Sequence, residues 1–455
     1  MGIQNFPAVL QPIIQQGFLE HGFQAAMRSR LAYRAIADRI PIPVGIGESV
    51  TKTRAGLKPA ATTPATPSAN TNLDNGITPS GWGVEQYTVG MSMYRDSIDL
   101  NMVTNTVGIA SQFVQNAVVN GEQASRTLDE LARNALFASY FGGNTRVRVT
   151  LGSAGVTISV DDVRGFENAF YVAGFTSAAA AIAAGSTPMF SAVSSGNTLL
   201  CTVGASTYTL NGTARDGSNV STTPGGFSGT LTLTTSVTVS DGTAGNTVSA
   251  ATAPTVIRPS GRGNTSLLAA GDLLTMDNLL DAVATLRANA VPEVEGAYNC
   301  YLDPKSGRQL FDDSMYRQLF QGATSGNPDW RAGMVSPMVG LRFIPTTEAY
   351  VQAHPSIAGA VVRRPIVCGQ GALIEGDFAG MAAQDVAPAD SLISMVDSVV
   401  MVTREPLDRL QQIIAQSWYW IGGFCTPSDI TTNSNTVPTA SNATFKRAVM
   451  IEHIS

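Results

Sequence analysis

Charged residues are scarce in this sequence. Asp, Glu, Lys and Arg make up 14% of the 455 residues, whereas about 25% is usual in a soluble domain. Lysine is nearly absent, because only four of the 28 basic residues are lysines. A chain with so little charge has a neutral surface, and we expect other protein to cover part of it.

Long apolar runs and a basic N-terminal segment are also lacking. No run approaches the about 18 residues that cross a bilayer, so a membrane-spanning helix is excluded. The first 27 residues contain no Lys or Arg, and Pro12 and Gly17 interrupt the apolar stretch there. This composition argues against a secretory signal and predicts synthesis and residence in the cytosol.

Cysteines with metal-binding spacing are absent. The four cysteines stand far apart, without a CxxC pair, so neither a zinc site nor a disulfide framework is predicted. We expect buried thiols, because a free cysteine usually behaves as a small hydrophobic residue. The four are Cys201, Cys300, Cys368 and Cys425.

Residues that carry catalysis are scarce as well. The serine-hydrolase, phosphate-loop, zinc-protease and EF-hand motifs do not occur. The neighbouring carboxylates Asp161-Asp162 and Asp312-Asp313 point apart on a strand or a helix, so neither forms a two-carboxylate site. Three histidines lie in unrelated contexts, at His21, His354 and His453. We therefore predict no catalytic, metal or cofactor-binding residue and no enzymatic activity.

Positive charge is concentrated at the N-terminal end. Residues 1–58 hold 7 basic and 3 acidic residues, a net charge of +4, whereas residues 59–455 hold 21 and 31, a net charge of −10. Glycines break the apolar pattern early, so we interpret residues 1–46 as an arm. Its arginines either contact nucleic acid or an acidic partner, or form the solvated face of a basic helix. They are Arg28, Arg30, Arg34 and Arg39.

An extended loop follows the arm. Residues 60–72 are rich in Pro, Thr, Ala and Asn and cannot form a core. Residues 84–101 partly alternate, with Tyr87, Val89 and Met91 on one face, as in a strand that returns from a loop. The pattern predicts an extended loop with flanking strands over residues 47–105.

The strongest helical pattern covers residues 106–140. Apolar residues recur there at steps of three and four, and the Gly142-Gly143 pair ends the pattern. A helix of this length is either a coiled-coil strand or the spine of a large flat domain. The small residues on its apolar stripe favour close packing against a sheet, so we predict a spine helix within residues 106–145.

The middle of the chain is almost uncharged. Between Phe175 and Arg258, 82 residues contain 30 Ser or Thr and three charged side chains. Apolar residues alternate around Leu199 and Leu231, and glycine-rich turns separate these stretches. The pattern predicts an all-β inserted domain over residues 146–262, with a sandwich-like arrangement.

Helical and strand patterns mix in residues 263–455. Predicted helices cover residues 276–290, 303–320 and 406–417. Predicted strands cover residues 298–302, 338–345, 360–368, 392–403 and 445–454. The order of strands, one long helix, a β module and mixed elements predicts an α+β protein.

Several segments outside the Ser/Thr-rich region carry a resemblance to a known family. They are Gly121–Leu131, Tyr301–Leu310, Gly340–Glu348, Glu405–Asp408 and Trp418–Trp420. With the order of arm, loop, long helix and tolerated insertion, they resemble the major capsid proteins of tailed bacteriophages of the Hong Kong 97 type. The likeness is closest to the coat proteins of podovirus-like phages.

The resemblance implies a fold and a function. The fold is the Hong Kong 97 type, in which an arm, an extended loop and a spine helix join peripheral and axial domain segments, here over residues 263–455. The function is a coat protein that self-assembles into the icosahedral head shell around double-stranded DNA. The location is the virion, after assembly in the host cytoplasm.

The resemblance also implies partners. These are other copies of the chain in hexamers and pentamers, scaffolding, portal and decoration proteins, and packaged DNA bound without sequence specificity on the inner face. No membrane and no cofactor is implied. The four arginines of the arm, Arg28, Arg30, Arg34 and Arg39, are the candidate inner-face contacts to scaffold or DNA.

Two other functions compete with this interpretation. A phage tail, fibre or other surface protein would use the β-rich module to bind a receptor. A hydrolase or transferase is suggested only by the mixed pattern of the C-terminal half. Fibrous trimers would favour the first alternative, and activity lost on replacing an Asp or Ser would favour the second.

Overall fold

The computed structural model describes most of the chain, in two compact units. It describes residues 32–43, 45, 47–58, 60, 83–101, 112–171, 184, 189–217, 226–317, 340–354, 357–378, 392–396, 398–404, 412–429 and 445–455. The first unit draws on residues 1–50, 88–133 and 373–425, and the second on residues 51–87, 134–372 and 426–455. The boundaries of these two units differ from those of the five segments predicted from the sequence, and the five segments stay a prediction.

Strands dominate the structure. Among the described residues, the longer α-helices are α1 Gln112–Tyr140, α2 Met276–Ala288 and α3 Pro304–Asp312, with short 3-10 turns at Arg34–Ile36, Pro259–Gly261 and Thr265–Leu267. The first twelve strands are β1 Ala37–Ile42, β2 Ser49–Ala55, β3 Val84–Gly90, β4 Ser92–Asn101, β5 Asn144–Arg146, β6 Gly155–Val160, β7 Asn168–Tyr171, β8 Met189–Ala192, β9 Leu199–Val203, β10 Ser206–Arg215, β11 Gly229–Val237 and β12 Thr247–Ala250. The others are β13 Val256–Ile257, β14 Tyr298–Leu302, β15 Leu341–Pro345, β16 Val351–Ala353, β17 Val361–Arg363, β18 Ile366–Cys368, β19 Leu373–Phe378, β20 Leu392–Val396, β21 Val399–Arg404, β22 Ile413–Cys425, β23 Ala448–Ile451 and β24 His453–Ile454.

Helix α1 confirms the predicted long helix over its described part. Its apolar stripe is buried at Ala117, Ala124 and Leu128, which recur at the spacing of one helix face. Residues 106–111 of the prediction lie outside the described residues. Just beyond the helix, Gly143 adopts a φ of +82°, a conformation that favours glycine. No helix in the described part of the chain is long and apolar enough to cross a membrane.

The first unit is built around a six-stranded sheet. Its order is β1-β19-β22-β21-β20, and β4 also pairs with β22. Strand β1 comes from the N-terminal arm and runs parallel to β19, from Ala37 opposite Leu373 to Ile42 opposite Phe378. Residues 37–42 of the arm therefore form a hydrogen-bonded edge strand of this sheet.

The core of the first unit lies between this sheet and α1. Trp418 and Trp420 alternate along β22 and point to the same face. Both are buried against Ala117, Ala124 and Leu128 of the helix. The small alanines leave room for the two large rings, as the small-residue stripe predicted.

The Ser/Thr-rich middle of the chain forms a closed β-barrel in the second unit. Six antiparallel strands follow the order β5-β12-β9-β10-β11-β6. The chain just after β5 pairs with β6, because the Arg148 N–H donates to the Ser159 carbonyl at 2.8 Å and the Asp161 N–H donates to the Arg146 carbonyl at 3.2 Å. Both edges of the sheet are thereby joined.

The alternating apolar residues predicted from the sequence form the core of this barrel. Leu199, Cys201 and Val203 of β9 point inward together with Leu231 and Leu233 of β11. The predicted sandwich-like arrangement was wrong in this respect, because a sandwich packs two separate sheets and here one sheet closes on itself.

A second core of the second unit lies beneath α2. The helix buries Leu279, Val283 and Leu286 against the five-stranded sheet β13-β23-β18-β14-β15. Tyr298–Leu302 forms the predicted strand with all five residues buried. A three-stranded sheet β16-β17-β24 and a four-stranded sheet β2-β3-β8-β7 complete the described strands.

Two predicted helices differ from the structure. The one predicted over residues 303–320 is interrupted at Asp313. Helix α3 ends at Asp312, the Asp313 carboxylate accepts the Met315 N–H at 3.0 Å, and residues 314–317 are helical again. The one predicted over residues 406–417 was wrong for residues 413–417, which belong to β22. Residues 318–320 and 405–411 lie outside the described residues.

Three predicted strands are each divided in two. The one over residues 360–368 splits into β17 and β18 on different sheets, because Pro365 has no N–H for a ladder. The one over residues 392–403 is a hairpin that turns at Ser398, whose φ is +69°. The one over residues 445–454 forms β23 and β24.

Candidate functional site

Strand β4 presents an unusual exposed surface, which we call the open ribbon (Ser92–Asn101). It pairs with β22 along its whole length, from Ser92 opposite Gly422 to Asn101 opposite Ile413. Even so, seven of its ten residues are exposed. Neighbouring residues on a strand point to opposite faces, and Arg95, Asp96 and Ser97 are all exposed, so both faces are accessible at the middle of the strand.

The open ribbon combines apolar and charged side chains. Met93 is 52% exposed, and Arg95, Asp96 and Asp99 add charges of both signs. The Asp96 carboxylate accepts a hydrogen bond from the Gln123 amide of α1. Methionine and arginine are enriched where proteins meet, so the ribbon has the composition of a surface that another chain covers.

The N-terminal arm is anchored on α1 by a single carboxylate. Asp129 Oδ1 accepts the N–H groups of Ala32, Tyr33 and Arg34, at 3.1, 2.7 and 3.2 Å. Both Asp129 and Tyr33 are almost completely buried. The carboxylate thus satisfies backbone donors at the start of the 3-10 turn that no carbonyl of the turn can reach.

A buried ion pair fixes the arm a second time. Arg34 Nη2 lies 2.6 Å from Glu375 Oε1, and the two side chains are 1% and 0% exposed. Arg34 Nε also donates to Glu375 Oε2 at 3.0 Å, which gives the forked geometry that suits a guanidinium and a carboxylate. Glu375 lies on β19, so this pair joins the arm to the strand beside it.

The four predicted arginine contacts have different outcomes. The Arg34 guanidinium is buried against Glu375, so its assignment as a contact to scaffold or DNA is corrected. Arg39 is 45% exposed, with Nε 3.6 Å from Glu375 Oε2, and keeps an accessible face. Arg28 and Arg30 lie outside the described residues. The structure therefore brings Arg34 and Arg39 together around one carboxylate.

Sequence reasoning missed Asp129 and Glu375. A signal for Asp129 was present in the sequence. Asp129 follows Ser125 by four residues, so both lie on one helix face, and this polar pair borders the apolar stripe of α1. Both residues are 1% exposed. Glu375 is the one acid among the four successive buried residues, 373–376, that begin its strand. A polar residue in a fully buried run requires a partner, but the partner's identity is a long-range property.

One cluster in the second unit has the residue types of a hydrolase. Ser306 Oγ lies 2.8 Å from His453 Nε2 and donates to the Asp303 carboxylate. Asp303 also accepts the N–H groups of Lys305 and Ser306 at 3.1 and 3.3 Å and pairs with Arg363. The carboxylate therefore contacts the serine and not the imidazole, unlike a catalytic triad.

Both the serine and the histidine of this cluster are buried, so a substrate cannot reach them. Ser306 and His453 are both 0% exposed, and burial lowers the pKa of His453 to about 4, which keeps the imidazole neutral at pH 7. A nucleophilic serine has to reach its substrate. The contacts instead cap α3 and attach it to β24, so His453 has a structural role.

The remaining candidate groups also serve the fold. Asp162 forms a forked pair with Arg164, whose Nη2 lies 2.8 Å from Asp162 Oδ2. Asp161 lies 3.7 Å from the Arg146 guanidinium. His354 is buried and accepts the Ile357 N–H at Nδ1, whereas His21 lies outside the described residues. No cluster able to hold a metal ion occurs among the residues that the structure describes.

Three of the cysteines are free, buried thiols. Cys201, Cys300 and Cys368 are buried, as predicted, and Cys425 is half-buried. Burial raises the pKa of Cys201 to about 11 and that of Cys300 to about 12. A thiol with such a pKa is a poor nucleophile at neutral pH.

The chain was compared with known proteins. No family model and no curated protein matches it. Among solved structures it is similar to the capsid of Ralstonia phage GP4, with a TM-score of 0.48, 11% identity and coverage of 93% of this chain and 88% of that chain. It is similar to the capsid of cyanophage P-SCSP1u, with a TM-score of 0.47, 11% identity and coverage of 93% and 88%. It is also similar to the capsid of Helicobacter pylori bacteriophage KHP30, with a TM-score of 0.44, 8% identity and coverage of 93% and 91%.

All three are phage capsids.

Proposed function

We propose that the chain is a phage major capsid protein that self-assembles into the icosahedral head shell enclosing double-stranded DNA. The open ribbon carries this proposal. A ten-residue strand with seven exposed residues offers apolar, charged and backbone groups that neighbouring copies can cover. Extensive contact between copies also accounts for a chain with only 14% charged residues, because interface cores are depleted of charge.

The anchored arm supports the same function. In a shell, many copies of one chain contact each other in the same way. An extended segment can reach the same place on each neighbour only if one end is fixed to its own subunit. Asp129 and Glu375 fix the arm in this way, through hydrogen bonds and an ion pair to residues 32–34. Arg39 keeps an accessible face, and Arg28 and Arg30 precede the anchor in the chain. We assign these three arginines to inner-face contacts with scaffold or DNA.

The barrel is an insertion in this proposal. The strands by which the chain enters and leaves it, β5 and β12, are paired side by side, with Arg146 opposite Thr247 and Asn144 opposite Ser249. A module whose two ends meet can be inserted into another domain without distorting it. This supports an inserted domain over residues 146–262, with the remaining segments forming a Hong Kong 97-type body.

The proposed partners follow from the proposed function. They are other copies of the chain in hexamers and pentamers, scaffolding, portal and decoration proteins, and packaged DNA. The proposed location is the virion shell, assembled in the host cytoplasm. No catalytic step is assigned to the chain.

Electron microscopy of the purified chain tests this function. We expect closed shells, or hexamers and pentamers on the way to shells, when the protein is concentrated with and without a scaffolding protein. A chain that stays monomeric under both conditions, or forms fibrous trimers, would contradict the proposal. Trimers would favour a tail or fibre protein.

A further inference from the structure

The second unit contains a small polar cavity beside the barrel. Its volume is about 240 Å³, and its polar lining includes Arg146 of β5, Asp161, Ser249 of β12, Arg258, Thr265 and Gln352 of β16. Pockets for drug-sized ligands measure about 300–1,000 Å³. This cavity is smaller and polar, so it suits a small ion better than an organic molecule.

The charges around the cavity do not balance. Arg258 Nε lies 2.5 Å from Glu452 Oε2, and Arg364 Nε lies 2.7 Å from Glu452 Oε1. One carboxylate therefore neutralises two guanidinium groups. Arg146 is matched by Asp161 at 3.7 Å, which leaves one positive charge in excess in this group of five side chains.

The excess charge is buried. The Arg258 and Arg364 side chains are 6% and 1% exposed, and Glu452 is 0% exposed. Arg364 also stacks over the Phe141 ring, with 4.7 Å from its guanidinium carbon to the ring centroid, and Phe141 lines the cavity. Water screens a buried charge poorly, so the excess acts strongly on anything that enters the cavity.

Two hydrogen-bond donors at the cavity are unused. Arg258 Nε and Nη1 bond Glu452 and the Gly263 carbonyl, and Nη2 has no partner among the described residues. Gln352 Oε1 accepts from Arg364, which leaves the Gln352 Nε2 donors without a partner within the described part of the chain. Gln352 is only 7% exposed. An anion with several oxygens would accept from both groups.

We propose that this cavity binds a small oxyanion of the phosphate class between Arg258 and Gln352. The ion supplies the missing negative charge, and its oxygens accept from the guanidinium and the amide. Ser249 and Thr265 line the same space, and the Thr265 hydroxyl donates to the Glu452 carboxylate at 3.0 Å. Charge-assisted hydrogen bonds to a guanidinium are the common means of holding phosphate.

Titration calorimetry of the full chain with inorganic phosphate tests this site, with acetate and chloride as comparison ions. We expect phosphate to bind in the millimolar range or more tightly, and acetate and chloride to bind at least about tenfold more weakly. Arg258→Gln should weaken phosphate binding by about 10- to 100-fold, since it removes one charge-assisted hydrogen bond. Ser249→Leu fills the cavity without touching an ion pair, so it should abolish binding even when Arg258→Gln does not fold.

Arg148→Gln is the matched control. Arg148 follows β5, pairs with Asp216 at 3.4 Å and is not among the residues that line the cavity. We expect this variant to bind phosphate like the unsubstituted chain. The proposal is overturned if the unsubstituted chain does not bind phosphate, if chloride binds equally well, or if Arg148→Gln weakens binding as much as Arg258→Gln.

Discussion

The barrel and the sheet of the first unit differ in how the backbone N–H and C=O groups of their edge strands are paired. In the barrel, backbone bonds between the chain after β5 and β6 join the two edges of one sheet. In the first unit, the sheet takes an edge strand from the N-terminal arm and carries the open ribbon, with seven exposed residues, beside β22.

The barrel therefore has no free sheet edge among its described strands, whereas the sheet of the first unit has an exposed edge strand that another chain can cover. Every residue of the barrel core lies between Val147 and Ala253, so a single continuous segment supplies it. The first unit combines three segments that are far apart in sequence and depends on buried polar contacts to hold them. A closed barrel suits a module that tolerates insertion, and an open sheet suits a protein that assembles with itself.

The largest expected effect concerns independent folding. A fragment of residues 143–254 contains the whole barrel core, so we expect it to fold cooperatively and to show dispersed NMR signals. A fragment of residues 88–133 contains the open ribbon and most of α1 but lacks β22, so we expect it to stay unfolded. A disordered barrel fragment would remove the contrast between the two regions.

The second prediction breaks the anchor of the first unit. Glu375→Gln leaves the Arg34 guanidinium buried without a countercharge, and removing one partner of a buried pair costs about 3–5 kcal/mol. We expect a loss of this size in the free energy of unfolding, measured by urea denaturation. The control is Glu167→Gln, whose partner Arg215 is 49% exposed. Exposed pairs contribute about 0–1 kcal/mol, and equal losses in the two variants would contradict the anchor.

The third prediction uses pH to probe the second unit. Burial raises the pKa of Glu85 to about 8, and the negative charge of Asp429 adds to the shift. The folded chain therefore holds a proton that the unfolded chain releases, so stability falls as pH rises from 4.5 towards 8. The slope cannot exceed about 1.4 kcal/mol per pH unit.

Glu85→Gln tests this assignment, because glutamine copies the neutral acid. Urea unfolding is compared between the two proteins at each pH from 6.5 to 8, so the contribution of His453, whose pKa is about 4 when folded, is common to both and cancels. We expect the variant to lose the downward slope and to be more stable than the unsubstituted chain at pH 8. Identical pH profiles for the two proteins would show that Glu85 is ionised in the folded state.

The sequence predicted best where a local pattern decides the structure. The three- and four-residue spacing of α1 needs no knowledge of its partners, and Asp303-Pro304 marks the start of α3 with a capping side chain and a proline at the first position. The alternation at residues 199–203 likewise gave the β9 strand. In each case the physical cause lies within a few residues.

The sequence predicted poorly where distant residues decide the structure. Residues 413–417 have helix-compatible spacing after Pro406, yet they form a strand because β4 and β21 pair with both sides of β22. Barrel closure depends on pairing between Arg148 and Ser159 and could not be read from either segment alone. The anchor residues Asp129 and Glu375 were missed for the same reason.

The assembly of two matched variants tests the central claim that the open ribbon is the surface covered by neighbouring copies. Met93 on the ribbon and Leu200 on the barrel are both 52% exposed, so Met93→Asp and Leu200→Asp place the same charge on equally exposed apolar positions. Both variants should keep the circular dichroism spectrum of the folded chain. Sedimentation and electron microscopy should show shells for Leu200→Asp and only unassembled protein for Met93→Asp. Shells of normal size and yield from Met93→Asp would contradict the account.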